Sequence, residues 1–230
     1  ISTSLVGEGA RVIIHYGRNE AAALALLDRL GGQGFCLTAD LADPQAPTRL
    51  WEKAEAQAGR ITALVNNAGI RSEVSVDAAL ADWHATWARE VQVNLMAAVD
   101  LTRAAIRHFR TQGGGRILNM ASRAGQRGYS ANAMAYGATK AALINLTKST
   151  AQSYGAEGIT AVALAPGWVR TEMAEAFIAQ HGEAAALAGI PVGRMAEPKE
   201  IGDLVAFCLH PGQVSLNGAV LDVNGGSYLR

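Results

Sequence analysis

Residues 115–122 read G-R-I-L-N-M-A-S, and after a glycine-bearing loop residues 135–140 read A-Y-G-A-T-K. The first segment is an apolar run of strand character that ends in a small hydroxyl, Ser122; the second has helical character. On a helix Tyr136 and Lys140, four apart, share one face one turn from each other. A phenol beside an ammonium suits a general acid/base, because the cation favours the phenolate and draws the phenol pKa down. Ser122, leaving the end of the preceding strand, reaches the same point and can hold a carbonyl oxygen. The three groups together suit proton transfer coupled to carbonyl reduction. Y-x-x-x-K also occurs by chance beside an ordinary buried Tyr, so the rest of the chain has to decide.

Upstream, residues 1–9 read as the last turns of a helix stopped by Gly7 and Gly9. Residues 11–16 (R-V-I-I-H-Y) predict a strand, Asn19 caps a helix to Leu30, and residues 34–38 form a short strand. Asp43-Pro44 opens a helix to about Ala58. Residues 61–65 are a wholly apolar strand that runs out into Asn66-Asn67-Ala68-Gly69. A long helical region follows over 79–109, broken near Arg89. Downstream of residue 122 the pattern continues as a helix over 133–154, a strand over 160–165 ending at Pro166-Gly167, and a short helix within 172–187. A helix started by Glu197-Pro198 and a final strand over 219–223 complete it.

Strands that alternate with helices, and that are apolar without polar alternation, predict an α/β fold: a doubly wound parallel sheet buried on both faces. No composition shift or linker divides the 230 residues, so one domain is expected. In such a sheet ligands bind beyond the carboxyl ends of the strands. Gly17-Arg18, Asp40, Asn66 to Gly69, Ser122 and Pro166-Gly167 all fall on that rim. Half the residues are hydrophobic, 17% are charged and the formal net charge is zero, which argues against a nucleic-acid partner. No apolar run approaches the ~20 residues of a membrane span, and no stretch reads as a signal peptide. Cys36 and Cys208 sit far apart in apolar runs, as free thiols do in a reducing cytoplasm. The five histidines follow no metal-ligand pattern, so no metal is expected.

The chain resembles the short-chain dehydrogenase/reductase family along essentially its whole length. The carriers are N-N-A-G at 66–69, the Asn of V-Q-V-N-L at 94, Ser122, Y-x-x-x-K at 136–140 and P-G-W-V-R-T at 166–171. The resemblance implies a Rossmann-like fold of seven parallel strands and a nicotinamide cofactor. It implies Tyr136 as general acid/base, Lys140 as the ribose ligand that lowers the Tyr pKa, Ser122 as the group polarising the carbonyl, and Asn94 as holder of a relay water. For cofactor contacts it points to Arg18, Asp40, Leu41, Asn67, Ala68, Gly69, Pro166, Gly167, Val169 and Thr171, with Tyr136 and Lys140.

The family's opening strand and glycine-rich turn, T-G-x-x-x-G-x-G, do not occur in this sequence. The sequence is therefore expected to lack its true N-terminus, with the slot for that strand between the strands at 11–16 and 61–65. A member that uses the fold only for binding or assembly is the alternative to an enzyme. The second strand ends in Tyr16-Gly17-Arg18 with no carboxylate, which favours NADP(H), with NAD(H) possible. Arg71, Arg123, Tyr129, Trp168, Met173 and Phe177 are the substrate-pocket candidates. Reductases of acyl-carrier-protein thioesters are similar overall, and Glu157-Gly158 counts against a carrier-protein substrate. Ala97, Leu101 and Ala105 on one long helix, and Ala141, Ile144, Leu146 and Ala151 on the other, predict helix pairing into a homotetramer or a homodimer.

Overall fold

The computed structural model describes residues 1–229. In chain order its elements are α1 (Ser2–Gly7), β1 (Val12–Tyr16), α2 (Glu20–Arg29), β2 (Gly34–Thr38), α3 (Ala46–Ala58), β3 (Ala63–Asn66) and α4 (Leu80–Val91). Then follow α5 (Ala97–Arg110), β4 (Gly115–Met120), α6 (Ala124–Arg127), α7 (Met134–Tyr154), β5 (Ile159–Pro166), α8 (Glu172–His181), α9 (Glu183–Leu187), α10 (Pro198–Leu209) and β6 (Val220–Val223). Every strand pairing is parallel, as apolar runs separated by helices require.

Against the seven strands of the expected architecture, the described residues hold six. They form two sheets, β1-β2 and β3-β4-β5-β6, with no ladder between β1 and β3. The break lies where the sequence pattern placed the slot of an additional strand. Side chains bridge it: Ile13, Leu37 and Leu64 pack on one cluster built around Trp51, Phe109, Ile117 and Ile159. Phe109 is wholly buried and lies against the backbone of Gly115, where an added Cβ would stand 2.2 Å from the ring. Only glycine can begin β4 beneath that ring.

Local chemistry explains most element ends. Asn19 accepts from the amide of Ala22 and caps α2, and Glu197 and Glu200 form a reciprocal capping box at the start of α10. The expected helix from Asp43-Pro44 begins later. Asp43 instead closes a turn, its carboxylate accepting from Gln45 N at 2.9 Å, and Pro47 takes the first-turn position of α3. The long helical region is interrupted not at Arg89 but at residues 92–96, which form one π-helical turn between α4 and α5.

The alanines expected to face a partner are corrected by their burial. Ala97, Ala105 and Ala151 are closed off inside the chain, because small residues let α5 and α7 approach the sheet closely. Leu101 also packs on the core, whereas Ala141 is exposed. Among the described residues no helix is long and apolar enough to cross a membrane.

Candidate active site

Strand β4 ends at Met120, and its carbonyl accepts from Lys140 Nζ at 2.7 Å. Lys140 is 4% exposed, and burial lowers its pKa from 10.5 to about 8, with the nearby Glu90 carboxylate pulling the other way. Its ammonium lies 5.7 Å from the centroid of the Tyr136 ring. Helix α7 therefore sets the Tyr and the Lys on one face, against the carboxyl end of β4. Ser122 is buried two residues beyond that strand, with Oγ accepting from Ala124 N at 3.1 Å.

One electrostatic expectation is reversed. The Tyr136 pKa is raised, not lowered: burial dominates, Tyr129 and Glu90 push the same way, and the Ser122 hydroxyl and Arg71 oppose them. The Lys140 ammonium is turned to the Met120 carbonyl, and desolvation of the phenol outweighs the opposing pull of the Ser122 hydroxyl and Arg71.

Asn94 sits in the π-turn and is 1% exposed. Its Oδ1 accepts from Ile70 N at 2.7 Å, and Nδ2 donates to Ile70 O at 2.9 Å, Glu90 Oε2 at 2.6 Å and Thr139 Oγ1 at 3.3 Å. The amide thereby pins the loop after β3 to both α4 and α7. Glu90 is fully buried, and its other carboxylate oxygen accepts from Ser72 N. Burial raises its pKa against the opposing pull of the Ser72 amide and the Lys140 cation. Sequence reasoning missed Glu90. The signal was available: an acid four residues before Asn94 shares its face.

The remaining candidates line the same rim with different engagement. Asn67, Ala68 and Gly69 are exposed just past β3. A Cβ on Gly69 would stand 3.3 Å from Lys140 Nζ and 3.4 Å from Asn94 Oδ1, so the backbone there lies directly over the buried pair. Asn66, by contrast, is structural, donating to Asn119 Oδ1 at 2.8 Å inside the sheet layer. Arg18 is exposed beyond β1. Asp40 is exposed and holds a turn through Ala42 N at 3.0 Å. The Leu41 side chain is buried with Leu50 and Ala97, which leaves its backbone as the part near the rim. Pro166 is buried at the end of β5, Gly167 follows with its N–H on Val223 O, Val169 bridges to Ala196, and Thr171 is exposed before α8.

A cavity of about 800 Å³ opens beside Tyr136, walled by Arg71, Arg123, Tyr129, Trp168 and Phe177. The Tyr129 ring is 5.6 Å from that of Tyr136. Trp168, Phe177 and His181 form a ladder with centroid separations of 4.7 and 4.5 Å. His181, expected to be an ordinary surface or packing residue, therefore joins the wall. Met173, also expected at the pocket, is exposed on α8 and does not line it. Among the described residues no cluster of His, Cys, Asp or Glu could hold a metal.

Comparison with known proteins agrees with this geometry. A family model described as enoyl-(acyl carrier protein) reductase matches residues 1–228. The chain is 34% identical over 230 residues to the 3-oxoacyl-[acyl-carrier-protein] reductase FabG of Escherichia coli, covering 100% of this chain and 91% of the relative. The oxidoreductase UcpA of the same organism is 32% identical over 244 residues, covering 97% and 90%. Among solved structures, a 3-ketoacyl-(acyl-carrier-protein) reductase from Brucella melitensis complexed with NADH superposes with a TM-score of 0.88 at 27% identity, over 99% of this chain and 92% of the other. A short chain dehydrogenase from Burkholderia cenocepacia in complex with NADP gives 0.87 at 30% identity, over 98% and 91%. With a half-buried Tyr and a buried Lys beside a strand-end Ser, and with matches that span the chain, this protein belongs to the short-chain dehydrogenase/reductase family.

Proposed function

We propose that residues 1–230 act as one NAD(P)-binding unit that interconverts a carbonyl and an alcohol, with NADP(H) preferred and NAD(H) accepted. The observation that carries the reading is the convergence of Lys140, Tyr136 and Ser122 at the end of β4, under the backbone of Gly69. The glycine leaves room for a flat group to lie against the buried pair, and the relatives' NADH and NADP complexes support a nicotinamide there. When bound, the nicotinamide exchanges a hydride with the substrate carbon. The protein does the rest. Ser122 orients the carbonyl, Tyr136 moves the proton to and from its oxygen, and Lys140 and the 67–69 backbone position the ribose side. Asn94 keeps that backbone in place through Ile70. Arg18, Asp40, Leu41, Pro166, Gly167, Val169 and Thr171 complete the cofactor rim.

Tyr136→Phe tests the reading. Turnover should fall by a factor of ~100 or more, the usual weight of general acid/base catalysis, while cofactor binding is retained. Near-normal turnover would remove Tyr136 from the chemistry.

A cytoplasmic homotetramer, with a dimer through the long helices as the simpler form, is part of the same proposal. Free Cys36 and Cys208 support the compartment. Exposed Met96, Met134 and Ala141 along the two long helices support self-association, and two isologous contacts on one subunit would build dihedral symmetry. Light scattering on dilute protein decides it, and an active monomer would sink the assembly.

A further inference from the structure

The cavity beside Tyr136 carries a charge that the fold does not answer. Arg123 is 8% exposed, yet among the described residues its guanidinium makes no hydrogen bond and no ion pair. It nevertheless lines the cavity. The two other guanidiniums on the wall differ. Arg71 is occupied, donating to Tyr129 Oη at 3.3 Å and to Glu73 at 2.5 Å. Arg127 is exposed and adds to the positive field, and among the described residues it makes no ion pair. Glu73 offsets Arg71, so Arg123 and Arg127 leave the cavity net positive.

A buried cation without a partner is costly, and proteins rarely keep one unless something else completes it. Arg127 makes the position worse by repulsion, and burial and that repulsion weaken the protonated form of Arg123 against a smaller opposing pull from Tyr129. An arginine fork matches an oxyanion with two parallel donors. Its place in the chain is informative as well, because Arg123 directly follows Ser122. A group held on Arg123 is therefore a short distance along the ligand from a carbonyl at Ser122 and Tyr136. The Trp168 and Phe177 rings that also line the cavity suit the apolar stem of such a molecule.

We infer that Arg123 is the docking point for an oxyanion, a carboxylate or a phosphate ester, carried by the carbonyl substrate, so that the enzyme acts on an anionic keto or hydroxy compound. This rests on the proposed carbonyl chemistry at Tyr136, and the test separates the two. Malonate, inorganic phosphate and neutral malonamide are titrated calorimetrically into the full chain and into Arg123→Met. One anion should bind saturably and malonamide should not, and the variant should weaken the anion roughly tenfold or more. Tighter malonate assigns a carboxylate, and tighter phosphate assigns a phosphate ester. Absence of saturable heat from both anions, or equal affinity in the two proteins, overturns the inference. If circular dichroism shows Arg123→Met to be unfolded, Arg123→Lys replaces it, with a similar weakening expected from loss of the fork. Tyr136→Phe should bind the anion like the unaltered chain while losing turnover. An active Tyr136→Phe therefore sinks the proposed chemistry without touching the anion site, and the calorimetry decides that site alone.

Discussion

Asn94 Nδ2 donates to Glu90 Oε2 across 2.6 Å, and neither side chain reaches solvent. The pair links a buried carboxylate to the loop after β3 and, electrostatically, to Lys140. The Glu90 anion supports the Lys140 ammonium, whose pKa burial has brought to about 8. Removing the charge should let that pKa fall further. Glu90→Gln is therefore expected to move the alkaline limb of kcat/KM for NADPH-driven reduction to lower pH. Tyr136, which the same carboxylate opposes as a phenolate, should ionise more readily. Superimposable pH profiles would reduce Glu90 to a packing role, since loss of a mere structural contact lowers the plateau without moving the limb.

Lys140 should also mark the stability curve. Its folded pKa of about 8 lies below the unfolded 10.5, so the folded chain binds that proton less tightly. The stability it contributes is present above 10.5 and is lost as pH falls through about 8. A shift of that size corresponds to about 3 kcal/mol. Urea melts of Lys140→Met against the unaltered protein should show the variant gaining, relative to wild type, by up to that amount below the window. A difference that is flat across the window would contradict the burial of a charged Lys140.

Cofactor choice should follow Arg18. It stands exposed beyond the end of β1 and is the one cation between that strand and α2. The unaltered enzyme should favour NADPH over NADH by kcat/KM, and Arg18→Asp should reverse the order, because an acid there repels a 2′-phosphate and holds ribose hydroxyls. Equal use of both cofactors before and after the change would discard the assignment.

The fold was legible because its signals are redundant. The strands are short, mostly apolar runs separated by helical stretches, and Asn19 and Glu197 announced their helices before any contact was known. The rim was legible for the same reason, since parallel strands must all end on one side. What the sequence did not disclose depends on three-dimensional surroundings. An α-helical pattern gives no hint that residues 92–96 widen into a π-turn. Y-x-x-x-K spacing suggested a lowered Tyr136 pKa, but spacing carries no information on desolvation, which proved larger. Ala105 and Ala151 look the same in sequence whether they meet a partner or the sheet. Arg123 could equally have faced solvent until its burial was seen.

The π-turn also fixes the phase of two helices. Its closing bond runs from Ala97 N to Gln92 O, one residue further than an α-helical bond would reach. Each residue added to or taken from a helix rotates everything beyond it by about 100°. Deleting a single residue between 92 and 96 would restore regular α-helix at a local gain in hydrogen bonding. It would also turn Thr102, Ala105, Ile106 and Phe109 away from the sheet, or else swing Glu90 and Asn94 away from Ile70. The inward side of α5 and the polar latch of α4 can both be kept only with the odd residue in place. The irregular turn is thus the gear tooth that meshes the chain's packing with its chemistry, and this segment tolerates exchange of residue type far better than any change of length.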